Sequence, residues 1–166
     1  LCERLMMLTK FGLLLAAAVF LVNGCKSEET FEDLGTGMTS PVDVEVSDDG
    51  THFYVLNSDF DRTYNAGSIL TIDEDGNKVG AGSTPRMGRA MKAAGDYLLV
   101  GFGRQDENNA ASVQLYDIST PASPKLIKTF DELVCNPVNF AMVKDYDHFG
   151  LVCSSGSYLL VLYPPA

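Results

Sequence analysis

The sequence predicts an all-β protein built from repeated four-stranded antiparallel units. Three similar segments, at residues 67–73, 111–117 and 156–162, each begin with a small residue and a serine and continue as a β-prone apolar stretch. They recur about every 45 residues, a period typical of a repeated four-stranded sheet. Short apolar runs between turn residues, without a long amphipathic pattern, favour strands over helices.

The first 24 residues have the pattern of a secretory signal peptide. Arg4 and Lys10 precede a short uncharged apolar run, Phe11–Val22. A membrane-spanning helix needs roughly 20 apolar residues, so this run is too short to be one. A basic segment followed by a short apolar segment predicts a signal helix over residues 1–24.

The end of the apolar run resembles the lipobox of bacterial lipoproteins. Val22, Asn23, Gly24 and Cys25 give an aliphatic residue, a tolerant position, a small residue and a cysteine. The resemblance implies cleavage before Cys25 and transfer of a diacylglycerol to its thiol, which would anchor the body in a membrane. Lys26 follows, and by the same resemblance it favours the outer membrane. The alternative is an ordinary cleaved signal with a chance cysteine.

Residues 25–40 predict an acidic tether between the lipid and the folded body, because they are polar and lack a sustained period. The chain has 46% hydrophobic residues, which is enough for a packed core, and a net charge of −10. A strongly acidic body repels phosphate backbones, so nucleic acid is not an expected partner.

The body, residues 41–166, predicts three units of about 41–84, 85–134 and 135–166. A proline opens each unit, at Pro41, Pro85 and Pro137. The first strand, 41–46, alternates valine with polar residues, which is the period of a strand. Second strands are predicted at 52–56, 97–101 and 149–153, and fourth strands at 78–80 and 125–128. Turns that contain aspartate are predicted between the first and second strands at 48–50, 94–96 and 145–147, and the first two also contain glycine.

A four-stranded unit of this length has the size of a propeller blade. Residues 116–127, Tyr-Asp-Ile-Ser-Thr-Pro-Ala-Ser-Pro-Lys-Leu-Ile, resemble the LVIVD-type repeat of bacterial β-propellers, related to the YVTN type. The resemblance implies an incomplete propeller of about three blades, whose motifs fix the architecture and not the activity. Closed propellers have about four to eight blades, so we expect an N-terminal fragment, or self-association through open edges if the chain is complete. An eight-stranded barrel is the competing fold.

In a propeller, the loops after the second and fourth strands of every blade share one face. Here that face would receive two long polar loops, 57–65 and 102–109, and long loops on a rigid scaffold often bind ligands. In the first loop, Asn57, Asp59 and Asp61 alternate as Ca²⁺ ligands do, although Arg62 would place a positive charge beside the ion. Calcium is therefore a weak expectation, and a solvated acidic turn is the alternative.

Three arginines are expected on the same face, Arg86, Arg89 and Arg104. Their guanidinium groups are suited to an anionic ligand. The alternative is that they bridge neighbouring acidic blades.

Cys135 and Cys153 are the cysteines of the body, and an oxidising envelope permits a disulfide between them. If Val143 pairs with Phe149, Cys153 lies opposite Asn139. The Cα atoms of the two cysteines would then be farther apart than is usual for a disulfide. The alternative is a pair of buried thiols.

The function predicted from these features is that of a lipid-anchored envelope lipoprotein, a binding or scaffold module for a protein, glycan or small ligand. With two histidines and no nucleophile elbow, the sequence does not support an enzyme. The alternative is a propeller hydrolase or oxidoreductase, or a metal-dependent binder, with its site in further blades. Strand addition at an open edge is a third option.

Overall fold

The computed structural model describes residues 37–60, 64, 66–104, 110–142 and 149–154. All regular elements in these ranges are β-strands, which confirms the all-β prediction. The same ranges contain no helix with the length and apolarity that crossing a bilayer requires. The predicted signal helix, most of the tether and Cys25 lie outside the described residues.

Two four-stranded antiparallel sheets follow one another along the chain, as predicted. Sheet I has the order β1-β2-β3-β4, and sheet II has the order β5-β6-β7-β8. The strands of sheet I are β1 (Pro41–Val46), β2 (His52–Asn57), β3 (Gly67–Asp73) and β4 (Lys78–Thr84). Those of sheet II are β5 (Gly88–Ala94), β6 (Tyr97–Phe102), β7 (Ala111–Asp117) and β8 (Lys125–Leu133). Hairpin III then pairs β9 (Pro137–Met142) with β10 (Phe149–Cys153).

The first hairpin of each unit carries the same irregularity, which defines the equivalent positions of the repeat. Pro41 pairs with Asn57, Gly88 with Phe102 and Pro137 with Cys153, and in each pair the register then shifts by one residue. Gly88 therefore occupies the position of Pro41 and Pro137. The sequence alignment that gave this position to Pro85 was wrong by three residues.

One backbone hydrogen bond recurs beside each irregularity. The amide of Ser58 donates to Ser40, that of Gly103 to Met87 and that of Ser154 to Asn136, at 3.0, 2.9 and 3.1 Å. Ser40 and Met87 both have a positive φ, 56° and 61°. Residues other than glycine adopt this backbone conformation at an energetic cost. The recurring bond supports this backbone shape at both positions.

Hairpin III differs from its predicted register. Phe149 pairs with Met142, and not with Val143, and the following shift brings Cys153 opposite Pro137. Asn139 pairs with Val152 instead. The expectation that Cys153 lies opposite Asn139 was therefore wrong.

Alternating residues of sheet II pack in two directions, as a sheet buried on both faces requires. One face meets sheet I in a cluster that includes Tyr54, Leu56, Met91, Leu98 and Tyr116. The other face meets hairpin III in a cluster that includes Leu99, Val113, Leu115, Phe140 and Phe149. The first strands touch in succession, β1 with β5 and β5 with β9.

Acidic side chains of β1 also link sheet I to sheet II. Asp43 Oδ2 accepts a hydrogen bond from the Met91 amide at 2.6 Å, on the edge of β5 that has no strand partner within sheet II. Glu45 forms an ion pair with Lys92 at 2.8 Å. The Asp43 contact satisfies a backbone amide that a free sheet edge would leave exposed, and the ion pair joins the two sheets beside it.

Candidate functional site

The candidate site lies at the loop end of the sheets, which we define as the end where β2 and β4 finish and β1 and β3 begin. The antiparallel order brings residues 57–60, 85–87, 103–104 and 135–136 to this end. Asn57, Ser58 and Asp59 are buried there, with relative exposures of 0%, 0% and 2%. Buried polar side chains directly after a strand need partners, and these partners define the site.

The Asn57 side chain at the end of β2 forms hydrogen bonds with β3 and with the segment before β1. Its Nδ2 donates to the Gly37 carbonyl at 3.2 Å and to Ser68 Oγ at 3.0 Å. Its Oδ1 and the Ser58 hydroxyl are buried and have no hydrogen-bond partner among the residues that the structure describes. An unsatisfied buried polar group costs about 1–3 kcal/mol, so these two atoms are sites where a water or a ligand group would be stabilising.

Asp59 connects sheet I to the segment that leads into sheet II. Its Oδ2 lies 3.2 Å from Nε of Arg86, and the side chains are 1% and 27% exposed. The contact is an ion pair between the guanidinium group and the carboxylate. The other oxygen, Oδ1, accepts the Tyr64 amide at 3.0 Å. Arg86 thus bridges two units, the alternative that the sequence left open for the arginines.

Arg89 and Arg104 lie on the same end of sheet II. A Cβ atom added to Gly103 would come within 2.3 Å of Arg89 Nε, so the Arg89 side chain crosses directly over this glycine. The Arg104 amide donates to Asn136 Oδ1 at 3.1 Å, at the entry to hairpin III. Both arginines are exposed.

The structure brings five of the seven predicted ligand-binding residues to one end of the sheets: Asn57, Asp59, Arg86, Arg89 and Arg104. Asp61 and Arg62 lie outside the described residues. In the described ranges, no three His, Cys, Asp or Glu side chains are grouped as metal ligands. Both carboxylate oxygens of Asp59 already lie beside protein groups.

Sequence reasoning missed two clefts at the opposite end, the turn end, where the short hairpin turns lie. One, of about 530 Å³, is lined by residues of the β7–β8 turn from Asp117 to Leu126. The other, of about 220 Å³, lies between the turns of sheets I and II and includes Asp49, His52, Tyr54 and Asp96. The segment Asp117–Pro121, Asp-Ile-Ser-Thr-Pro, was interpreted as a turn and a repeat signature, and nothing in its sequence indicates a concave surface.

Local hydrogen bonds fix the carboxylates at this turn end. The hydroxyl of Ser47 and then the amide and hydroxyl of Thr51 lower the pKa of Asp49 to about 2. The Ser119 hydroxyl and amide likewise lower the pKa of Asp117. These aspartates are turn-forming groups that stay ionised, so they are poorly suited to general acid or base catalysis near neutral pH.

Cys135 and Cys153 lie together in hairpin III. Their Cα atoms are 5.6 Å apart and their sulfur atoms are paired as a disulfide. The register shift at Cys153 makes this possible, because it brings Cys153 opposite Pro137, two residues from Cys135. The pair lies in the cluster between sheet II and hairpin III, next to the loop end.

Comparison of the chain with protein-family models finds no match, and comparison with curated proteins finds no significant similarity.

Proposed function

We propose that the chain is a bacterial envelope lipoprotein whose body is part of a β-propeller and which acts as a binding or scaffold module. Its loop end would receive a protein, glycan or small ligand. The observation that carries the proposal is that the loop end is well bonded internally but still has charged and polar groups available to a ligand. Repeated backbone bonds and the Asp59–Arg86 pair hold this end together, and it exposes Arg89 and Arg104. Among the described residues, it also buries side-chain oxygens of Asn57 and Ser58 that have no hydrogen-bond partner.

The propeller part of the proposal is supported by an open apolar face on sheet I. By register, Val44, Val46 and Phe53 are equivalent to Met91, Ala93 and Leu98 of sheet II. The sheet II residues are 1%, 4% and 0% exposed because sheet I covers them, whereas the sheet I residues are 56%, 45% and 37% exposed. The repeat thus favours one more sheet of the same kind against sheet I, as ring closure would supply.

The membrane part of the proposal depends on Cys25 alone. Acyl chains on this cysteine would hold the body at the outer membrane, on its periplasmic or its surface side. Labelling cells with a clickable fatty acid tests it, and we expect Cys25→Ser to abolish incorporation. Cys2→Ser is the matched control, because Cys2 lies in the segment that cleavage removes. Equal labelling of the wild-type chain and Cys25→Ser would overturn the lipid anchor.

Site-specific photo-crosslinking in the host cell tests the binding part. The full chain would carry benzoylphenylalanine in place of Phe60, which is exposed at the loop end, or in place of Lys128 on the exposed outer strand β8. We expect an adduct from position 60 at least five times as abundant as that from position 128. Equal adducts at both positions, or none at 60, would overturn the assignment of binding to the loop end.

A further inference from the structure

The loop end of sheet II differs from the equivalent ends of its neighbours in charge. The residue skipped by the register shift is Val42 in sheet I, Arg89 in sheet II and Val138 in hairpin III. Two units therefore build the same irregularity with an apolar side chain. The arginine is not needed to form this backbone shape.

Arg89 and Arg104 project from adjoining points of the backbone. The Arg89 side chain crosses Gly103, whose missing Cβ leaves the space that the guanidinium group occupies. Gly103 is itself fixed by its bond to Met87. Arg104 is the next residue, about 3.8 Å away between Cα atoms, and its amide is held by Asn136.

These two arginines differ from Arg86 in how their charge is balanced. Arg86 lies beside the Asp59 carboxylate. In the described part of the chain, the ion pairs are Arg86 with Asp59 and Lys92 with Glu45, so neither Arg89 nor Arg104 has a carboxylate within 4.0 Å. Two neighbouring cations with no carboxylate partner among the described residues are unusual on a chain whose net charge is −10.

We propose that Arg89 and Arg104 together bind an oxyanion, a carboxylate or phosphate group of the ligand. The inference rests on the proposed function and names the chemical class that the loop end recognises. Guanidinium groups donate parallel N–H bonds that match carboxylate and phosphate oxygens. The net charge of −10 disfavours anions over much of the chain, so two adjoining arginines are a favourable point of contact for an anion.

Titration of the full-length protein in detergent with inorganic phosphate, and separately with acetate, tests the proposal at low ionic strength. Saturable changes in the NMR resonances of Gly103 and Arg104 are expected with at least one of the two anions. The stronger anion identifies the source of the oxyanion, and its affinity should fall as salt is added.

The variants distinguish an effect on anion affinity from an effect on folding stability. Arg89→Val introduces the residue found at the two equivalent positions, so the thermal unfolding temperature should stay within about 2 °C, while anion affinity should fall roughly tenfold. The double variant Arg89→Gln with Arg104→Gln should lose saturable binding. The control, Lys125→Gln with Lys128→Gln, removes the same charge from β8 and should keep the wild-type affinity.

Three results would overturn the proposal. One is the absence of saturable binding by the wild-type protein. Another is binding that appears only after Asp106→Asn with Glu107→Gln, because it would mean that the chain's own loop neutralises the arginines. The third is an equal loss of affinity in the lysine control. In each case crosslinking confined to position 60 would leave the proposed function intact and remove only the ligand class.

Discussion

Replacing Gly80 by alanine tests how sheets I and II meet at their outer strands. Gly80 lies in β4, and a Cβ atom at this position would come within 2.3 Å of the Ala122 carbonyl oxygen in the β7–β8 turn. The clashing atoms are backbone, so no side-chain rotation can relieve the contact. The turn of sheet II must therefore move away from β4.

The magnitude follows from the size of that displacement. Ordinary contacts of a Cβ atom begin at about 3.4 Å, so the turn must shift by roughly 1 Å, and forced overpacking typically costs about 1–3 kcal/mol. For a domain of this size, roughly 4 °C of Tm corresponds to 1 kcal/mol. We expect Gly80→Ala to lower Tm by about 4–12 °C.

Gly82→Ala is the matched control on the same face of the same strand. A Cβ atom there would lie 3.7 Å from the Pro124 carbonyl oxygen, an ordinary contact. Since alanine restricts the unfolded chain, this variant should be as stable as the wild type or up to about 1 kcal/mol more stable. Thermal and urea unfolding followed by circular dichroism compare the two. Equal stability of the Gly80 and Gly82 variants would refute the packing of the β7–β8 turn on β4.

Two further predictions concern the turn end and hairpin III. Because the folded pKa of Asp49, about 2, lies below its ordinary value of 3.8, its ionised form stabilises the turn above pH 3.8, and this contribution is lost as the pH falls towards 2. Ser47→Ala should move the Asp49 pKa back towards 3.8 in a ¹³C carboxyl titration, and an unchanged pKa would contradict the hydrogen-bond assignment. Cys135→Ala with Cys153→Ala should lower the free energy of unfolding by about 3 kcal/mol. The disulfide joins residues 18 apart in the sequence, and this crosslink lowers the conformational entropy of the unfolded chain. Unfolding with and without reductant checks this, and equal stability of the wild type in both conditions would contradict a structural disulfide.

The strands that alternation and turn residues specify were predictable from the sequence. The third strands begin at Gly67 and Ala111, where the repeated small-residue and serine pattern predicted them. The fourth strand of sheet I was predicted only as far as Gly80, yet β4 continues to Thr84. Gly80 and Gly82 have weak strand propensity, and the reason for glycine at position 80 is the turn of another unit, which no local pattern reveals.

Register shifts account for the other differences. A one-residue irregularity changes which side chains meet without changing the hydrophobic pattern much, so the equivalence of Gly88 with Pro41 could not be read from the sequence. The same effect hid the proximity of Cys135 to Cys153. The loop-end location of Asp59 and Arg86 followed from topology, but their pairing depends on the path of residues 85–87.

The repeat also separates what the loop end needs for folding from what it presents to solvent. At each equivalent position, the recurring bond joins a backbone amide to a backbone carbonyl, so serine, methionine and asparagine all serve as the acceptor residue. The side chains are then free to vary, and they do so in charge: Asp59 and Arg104 both come two residues after the paired end of a second strand. Asp59 is buried and paired, so its charge stabilises the junction between units. Arg104 is exposed, and its amide forms the corresponding junction with Asn136. Because the backbone already makes this contact, the positive side chain is free to serve another role, which is the physical reason for the proposal that it binds a ligand.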